Sequence, residues 1–323
     1  MEFFKRKTNI NFLGIKRWAG VFSLILVLIS LGSLFFKGLN WGLDFTGGYQ
    51  FQLAFDTAPN LEKINKKLES LGLTHFDMVT FGSARDIMLS IAPAKNKQAL
   101  SAGNSNSVLT GDGDQVEASD SALILKTFPG VKILSANFVG PQVGAELAER
   151  GMLAMLVAVI AIMIYIGFRF ELRFAISAAV ALAHDPIIIL GIFSLWGLKF
   201  DLNALAAVLA VIGYSLNDTV VVYDRIRENF RKLRQSSVTE VVNRAINETL
   251  SRTIMTSGLT LLVVVVLFCL GGPSIHGFSL ALIIGVIVGT YSSIYVAGAL
   301  AVMLGLDRQA LLPPSKQQMD ELP

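Results

Sequence analysis

Charged side chains are scarce in this sequence. Asp, Glu, Lys and Arg make up 16% of it, against about one quarter in ordinary soluble domains. Hydrophobic residues fill 53%, so a bilayer is part of the solvent this chain expects. Cysteine is nearly absent. The single Cys269 lies inside an apolar run; it excludes an internal disulfide and reads as a small buried or lipid-facing hydrophobe. Signatures of hydrolytic chemistry are missing as well. There is no GxxxxGK followed by Ser or Thr, no HExxH, no CxxC and no GxSxG, so nothing indicates nucleotide hydrolysis, zinc or serine chemistry. The net charge of +3 is small for a nucleic-acid binder. No enzyme, metal or organic cofactor is expected.

Long apolar runs are abundant instead. A spanning helix needs about 20 mostly apolar residues, and six stretches qualify: 19–36, 152–168, 174–196, 202–223, 253–270 and 278–304. Basic residues then orient them. Lys5, Arg6, Lys7, Lys16 and Arg17 precede the first span, and Arg169 and Arg173 separate the second from the third. Arg225, Arg227, Arg231, Lys232, Arg234 and Arg244 separate the fourth from the fifth, and Arg308 and Lys316 follow the sixth. The opposite short loops carry only Lys199. All the basic segments share one side if both termini are cytoplasmic. Residues 1–18 and 305–323 are then cytoplasmic ends. The first apolar run lacks a small-residue cleavage site, so it is expected to stay as an anchor.

The segment 37–151 therefore lies outside the cytoplasm. Tyr49, Phe51, Leu53 and Phe55 alternate as in a strand. Residues 61–71 have helical spacing and end before Gly72. Residues 76–91 read as a strand or hairpin, 122–128 as a short helix and 131–139 as a strand. This is a small α+β domain. Residues 95–121 are rich in Ser, Gly, Asn and Asp and read as a loop. The bundle continues over 152–304. Its connection at 224–252 places Ile226, Phe230, Leu233, Val238, Val241, Val242, Ala245 and Ile246 at helical spacing among charges. That pattern fits an amphipathic helix on the membrane surface, or ordinary solvated helices between spans.

Ionisable groups inside spans cost about 2.5–3.5 kcal/mol or more and mark function. Asp218 sits inside the basic end of the fourth span, with Ser215 and Tyr214 three and four residues earlier on its face. Arg252 opens the fifth span; Thr256 and Thr260 follow at four-residue steps, and Thr253 and Ser257 widen that stripe. A one-sided polar stripe faces a bundle interior. Asp218 and Arg252 fall at similar depth and can pair, either as a proton relay or as a static lock between helices. The third span holds His184, Asp185 and Pro186. Pro186 should kink it, and Asp185 is either a second proton site or part of a polar kink with His184. Gly285 and Gly289 form a GxxxG that allows close helix contact.

Several blocks resemble a known family. They are GLDFTGG at 42–48, VGPQVGAEL at 139–147, AHDPIIILGIFSL in the third span, NALAAVLAVIGYSLNDTVVVYDRIREN across the fourth and NETLSRTIMTSGLT into the fifth. In order and spacing they resemble the SecD/SecF family of protein-translocase subunits, its SecF members in particular. That resemblance covers nearly the whole chain. It implies a resistance–nodulation–division type of transporter fold, α-helical, with six transmembrane helices and a small α+β extracytoplasmic domain between the first and second. It implies a bacterial inner-membrane protein that pairs with SecD and works with the SecYEG channel, SecA and YajC on unfolded preprotein, using protons as the coupling ion. It places the proton-linked carboxylate at Asp218, the arginine at Arg252 and the threonine at Thr256, and it favours the relay over the lock. Segment 95–121 departs from the compact family domain. Two other readings compete. A half-size proton-driven exporter of small molecules would share the Asp and Arg. An intramembrane protease would need Asp185 and Asp218 at one depth.

Overall fold

The structure, a computed structural model, describes residues 8–70, 76–80, 83, 85–91, 128, 130–233 and 235–306. The expected loop at 95–121, most of the helix expected at 122–128 and most of the C-terminal tail lie outside the described residues. Six helices are long and apolar enough to cross a membrane: Phe12–Phe36, Pro141–Arg169, Leu172–Trp196, Leu202–Lys232, Val238–Leu270 and Ser274–Met303. They are the first to sixth spans below.

The helices outrun the apolar stretches because helix ends are set by caps, not by hydropathy. The second begins at Pro141, a residue whose missing N–H costs nothing in a first turn. The fifth begins after Ser237, whose side chain accepts from the Glu240 amide while the Glu240 carboxylate accepts from the Ser237 amide. Consequently the connection at 224–252 is not a separate helix on the membrane surface. It is the end of the fourth helix and the start of the fifth, folded back on one another. Ile226, Phe230, Val241, Val242, Ala245 and Ile246 are buried in the same core as the spans. The apolar face that suggested lipid contact is covered by protein. The third span also runs unbroken through Pro186 to Trp196, so the proline loses one backbone bond without interrupting the helix.

The third, fourth and sixth spans supply most of the membrane core. The second is exposed along much of its length, with Met152, Leu156, Ile160, Ile164 and Phe168 outward. The sixth passes through a π-helical turn, Ser293–Ala297, before its last helical segment.

Four antiparallel strands build the soluble domain: β2 (Gly48–Phe55), β3 (Phe76–Thr80), β4 (Asp86–Ile91) and β5 (Val131–Val139), in the order β3-β4-β2-β5. Tyr49, Phe51 and Leu53 stand opposite Ile91, Leu89 and Ile87 across the β2–β4 pair. Their shared face buries Ile64 and Leu68 of the helix Leu61–Ser70. Each such apolar side chain contributes about 1.5–3 kcal/mol. Two short strands, β1 (Asn40–Trp41) and β6 (Lys199–Phe200), pair in parallel and tie the entrance of this domain to the fourth span.

Candidate functional site

The polar centre of the bundle is Asp185. It is fully buried, and three spans converge on it. The hydroxyl of Ser215, from the fourth span, donates to its Oδ2 at 2.5 Å. Ser292, from the sixth, donates to the same oxygen at 2.9 Å. His184 Nδ1 lies 2.9 Å from Oδ1. Its Nε2 is buried with no hydrogen-bond partner among the described residues. The Tyr291 ring stacks on His184, with centroids 6.5 Å apart.

Asp218 stands one turn further along the fourth span, and its surroundings differ. It is 2% exposed, and its Oδ2 has no hydrogen-bond partner among the described residues. Arg252 is exposed and forms no ion pair with it among the described residues; its charge reaches the carboxyl across a gap. The direct pairing expected from the sequence is therefore not made. Ser215 faces Asp185, not Asp218, although it sits three residues before the latter. Tyr214 likewise turns to the fifth span and donates to Ser257 at 3.2 Å. Ser257 lies 2.7 Å from Thr290 Oγ1, and Thr290 donates to the Val286 carbonyl. Each hydroxyl has one proton, so the row runs in one sense from Tyr214 through Ser257 and Thr290 to Val286.

The fifth-span stripe is thus divided. Thr253 and Ser257 are buried in the chain. Thr256 is half-buried, with its hydroxyl returned to the Arg252 and Thr253 carbonyls at 3.0 Å each. Thr260 is half-buried too. Gly285 and Gly289 lie at the seam of the fourth and sixth spans. A Cβ at Gly285 would collide with Val211, and one at Gly289 would come 3.1 Å from Ser215 Cβ. Those glycines bring Ser292 within reach of Asp185. Sequence reasoning passed over Ser292, Tyr291 and Thr290, although a polar GTYSSIY run in an apolar span was the available signal.

Comparison with known proteins gives the site its context. Residues 121–307 match the family described as "Protein export membrane protein SecD/SecF, C-terminal", and residues 32–59 match the "SecD/SecF GG Motif". The chain belongs to the SecD/SecF family. The protein translocase subunit SecF of Vibrio alginolyticus is 44% identical over 100% of this chain and 99% of that protein. That of Escherichia coli O157:H7 is 41% identical over 91% and 88%. The crystal structure of SecDF from Thermus thermophilus, described as a translocon-associated membrane protein, superposes with a TM-score of 0.77 at 35% identity. It covers 93% of this chain, which spans 39% of the SecDF chain. The chain is accordingly a multi-pass SecF-type translocase subunit, with the transport role those relatives carry in their names.

The family's GG motif has a clear physical task here. After the first span, Gly42 donates its amide to the Phe200 carbonyl at 2.8 Å. Asp44 then accepts from the Leu202 amide at 3.0 Å, beside Asp201, which accepts from the Ala204 amide at 2.7 Å. Two carboxylates therefore cap the start of the fourth-span helix, where its dipole favours negative charge. Burial, opposed by the Ala204 bond and reinforced by Asp44, holds the Asp201 carboxyl above its ordinary value. Gly47 has φ +72°, and a Cβ on it would sit 2.7 Å from Pro141 Cα. Gly144 packs in return on the Gly47 amide and the Phe45 carbonyl. No side chain fits in either place. The base of the soluble domain, the second span and the fourth span meet at this joint.

Proposed function

We propose that this chain is the SecF-type half of a proton-driven accessory unit of the Sec translocase, in which Asp218 takes up and releases the coupling proton. The observation that carries this reading is the bare, buried Oδ2 of Asp218. An anionic carboxylate with an unmatched oxygen is costly in a protein interior, and its neutral form is much less so. Arg252 lies near enough to act on that choice and is not tied to it. Approach of the guanidinium favours the anion and its retreat favours proton uptake. Thr256 sits one turn from Arg252, and Ser215 and Asp185 line the next turn of the path. Protons are the only coupling species the mechanism needs.

The partner in this reading is SecD. Asn203, Ala206, Ala210, Gly213 and Asn217 leave an open stripe of small and polar residues along the fourth span, a face suited to a second helix and poorly suited to lipid. The unit lies in the bacterial inner membrane with both termini cytoplasmic, beside SecYEG, with SecA and YajC. The soluble domain, joined to the fourth span through the GG motif, contacts emerging preprotein and moves as Asp218 changes charge.

Asp218→Asn tests this. Asparagine keeps the size and cannot titrate. The variant should insert, co-purify with SecD and lose gradient-stimulated export. Normal gradient-stimulated export by a well-assembled variant overturns the assignment. Failed assembly would show that the carboxylate is needed for packing and points to the static lock.

A further inference from the structure

On the basic side of the bundle the second span ends at Arg169, and Phe170 and Glu171 lead into the third. There Arg169, Asp224, Arg227, Glu228 and Arg231 line a cavity of about 270 Å³. Arg169 donates to both oxygens of Asp224, at 2.8 and 2.9 Å, which sets its guanidinium at the rim. Arg169 and Arg227 cover the same Phe170 ring, at 5.1 and 5.9 Å from its centroid. Arg227 and Arg231 are four residues apart on one helix and so share a face. Arg227 comes no nearer than 3.9 Å to Asp224. Arg231 has no ion pair among the described residues. Glu228 is held by Arg225 at 2.6 Å and by Lys232 at 2.5 Å.

The carboxylates of the cavity are thus already matched at short range, while Arg231 has no ion pair among the described residues and Arg227 holds Asp224 only at 3.9 Å. Planar guanidinium forks select oxyanions, phosphate above all. The surroundings identify the source. Phe168, the last large apolar residue of the second span, is 90% exposed just before Arg169. A lipid lying along that span would carry its headgroup toward the level of the cavity. Basic pockets at the ends of spans are headgroup sites. We propose that this cavity binds the phosphate of an anionic phospholipid headgroup. The orientation given above decides only which leaflet supplies the lipid, and the test does not depend on it.

The full chain would be reconstituted in phosphatidylcholine vesicles, with and without phosphatidylglycerol. Retained lipid would be counted by native mass spectrometry after extraction. Phosphatidylglycerol should be retained selectively, and about fivefold more weakly for each of Arg227→Gln and Arg231→Gln. Glu228→Gln should strengthen retention, because it removes a carboxylate and frees Arg225 and Lys232. Unfolding midpoints in phosphatidylcholine alone should be equal for wild type and variants, which separates binding from folding. Unchanged retention in both arginine variants, or no gain in Glu228→Gln, overturns the site. Displacement of phosphatidylglycerol by millimolar inorganic phosphate would show a free anion as the occupant and overturn the lipid assignment.

Discussion

Asp185 accepts from Ser215 and Ser292 and lies 2.9 Å from His184 Nδ1, whereas one oxygen of Asp218 accepts from nothing among the described residues. The first carboxylate joins three spans, and the second has an oxygen that no described residue holds. Their substitutions should therefore separate on stability. Asp185→Ala removes the acceptor of Ser215 and the partner of His184 Nδ1, at about 1–3 kcal/mol each, while Ser292 can still turn to the Gly289 carbonyl at 3.1 Å; it should lower the thermal unfolding midpoint of the detergent-purified chain. Asp185→Asn keeps one acceptor oxygen and should fall between it and wild type. Asp218→Asn should not lower the midpoint, since it removes a charge that had no full complement. Equal midpoints for Asp185→Ala and wild type would show that the three spans are not held through this carboxylate. The same contrast explains why Asp185 borders the proposed proton path instead of carrying the proton first.

At the level of elements, glycines decide which helices touch. Gly144 meets the Gly47 amide and the Phe45 carbonyl, and a Cβ there would lie 2.9 Å from each. Those atoms are backbone and cannot rotate away. Gly144→Ala should push the second span from the GG segment, at a cost of about 1–3 kcal/mol as for other overpacked sites. Gly167, on the same helix, has nothing within 4 Å of its Cβ position. Gly167→Ala should be neutral, or stabilising by up to about 1 kcal/mol from helix propensity. Thermal unfolding of the two variants side by side checks this, and equal midpoints would discount the joint. The pair also separates a local backbone clash from a general effect of alanine in a spanning helix.

For the whole molecule, the core of six spans is lopsided. The third, fourth and sixth are well covered, while the second, much of the first and the outer face of the fifth are open. The stripe from Asn203 to Asn217 on the fourth span is open as well. Gly213 has nothing within 4 Å of its Cβ position, so Gly213→Leu has room in the isolated chain and obstructs a helix packed on that stripe. Its unfolding midpoint should stay unchanged while co-purification with SecD from native membranes falls severalfold. Undiminished co-purification would place SecD on another face. This experiment also tests the partner without touching Asp218, so assembly and proton coupling are read separately.

Local periods made much of this molecule readable before any coordinates. Apolar run length marked the six spans, and the two-residue alternation of Tyr49, Phe51 and Leu53 marked the central strand. The acidic and basic residues inside spans were conspicuous because hydrocarbon makes them rare. Their partners were not readable. Ser215 sits on the same helix as Asp218 and binds Asp185, thirty positions away in sequence; Arg252 lies near Asp218 and does not bond to it. Residues 224–252 fitted either a surface helix or solvated helices between spans, and became two helix ends buried against each other. Such choices depend on the rotation and depth of each helix against its neighbours. Side-chain packing sets those quantities, through contacts such as Gly285 on Val211 and Gly289 on Ser215. No period along a single helix records them, because each contact is made by residues from two helices at once.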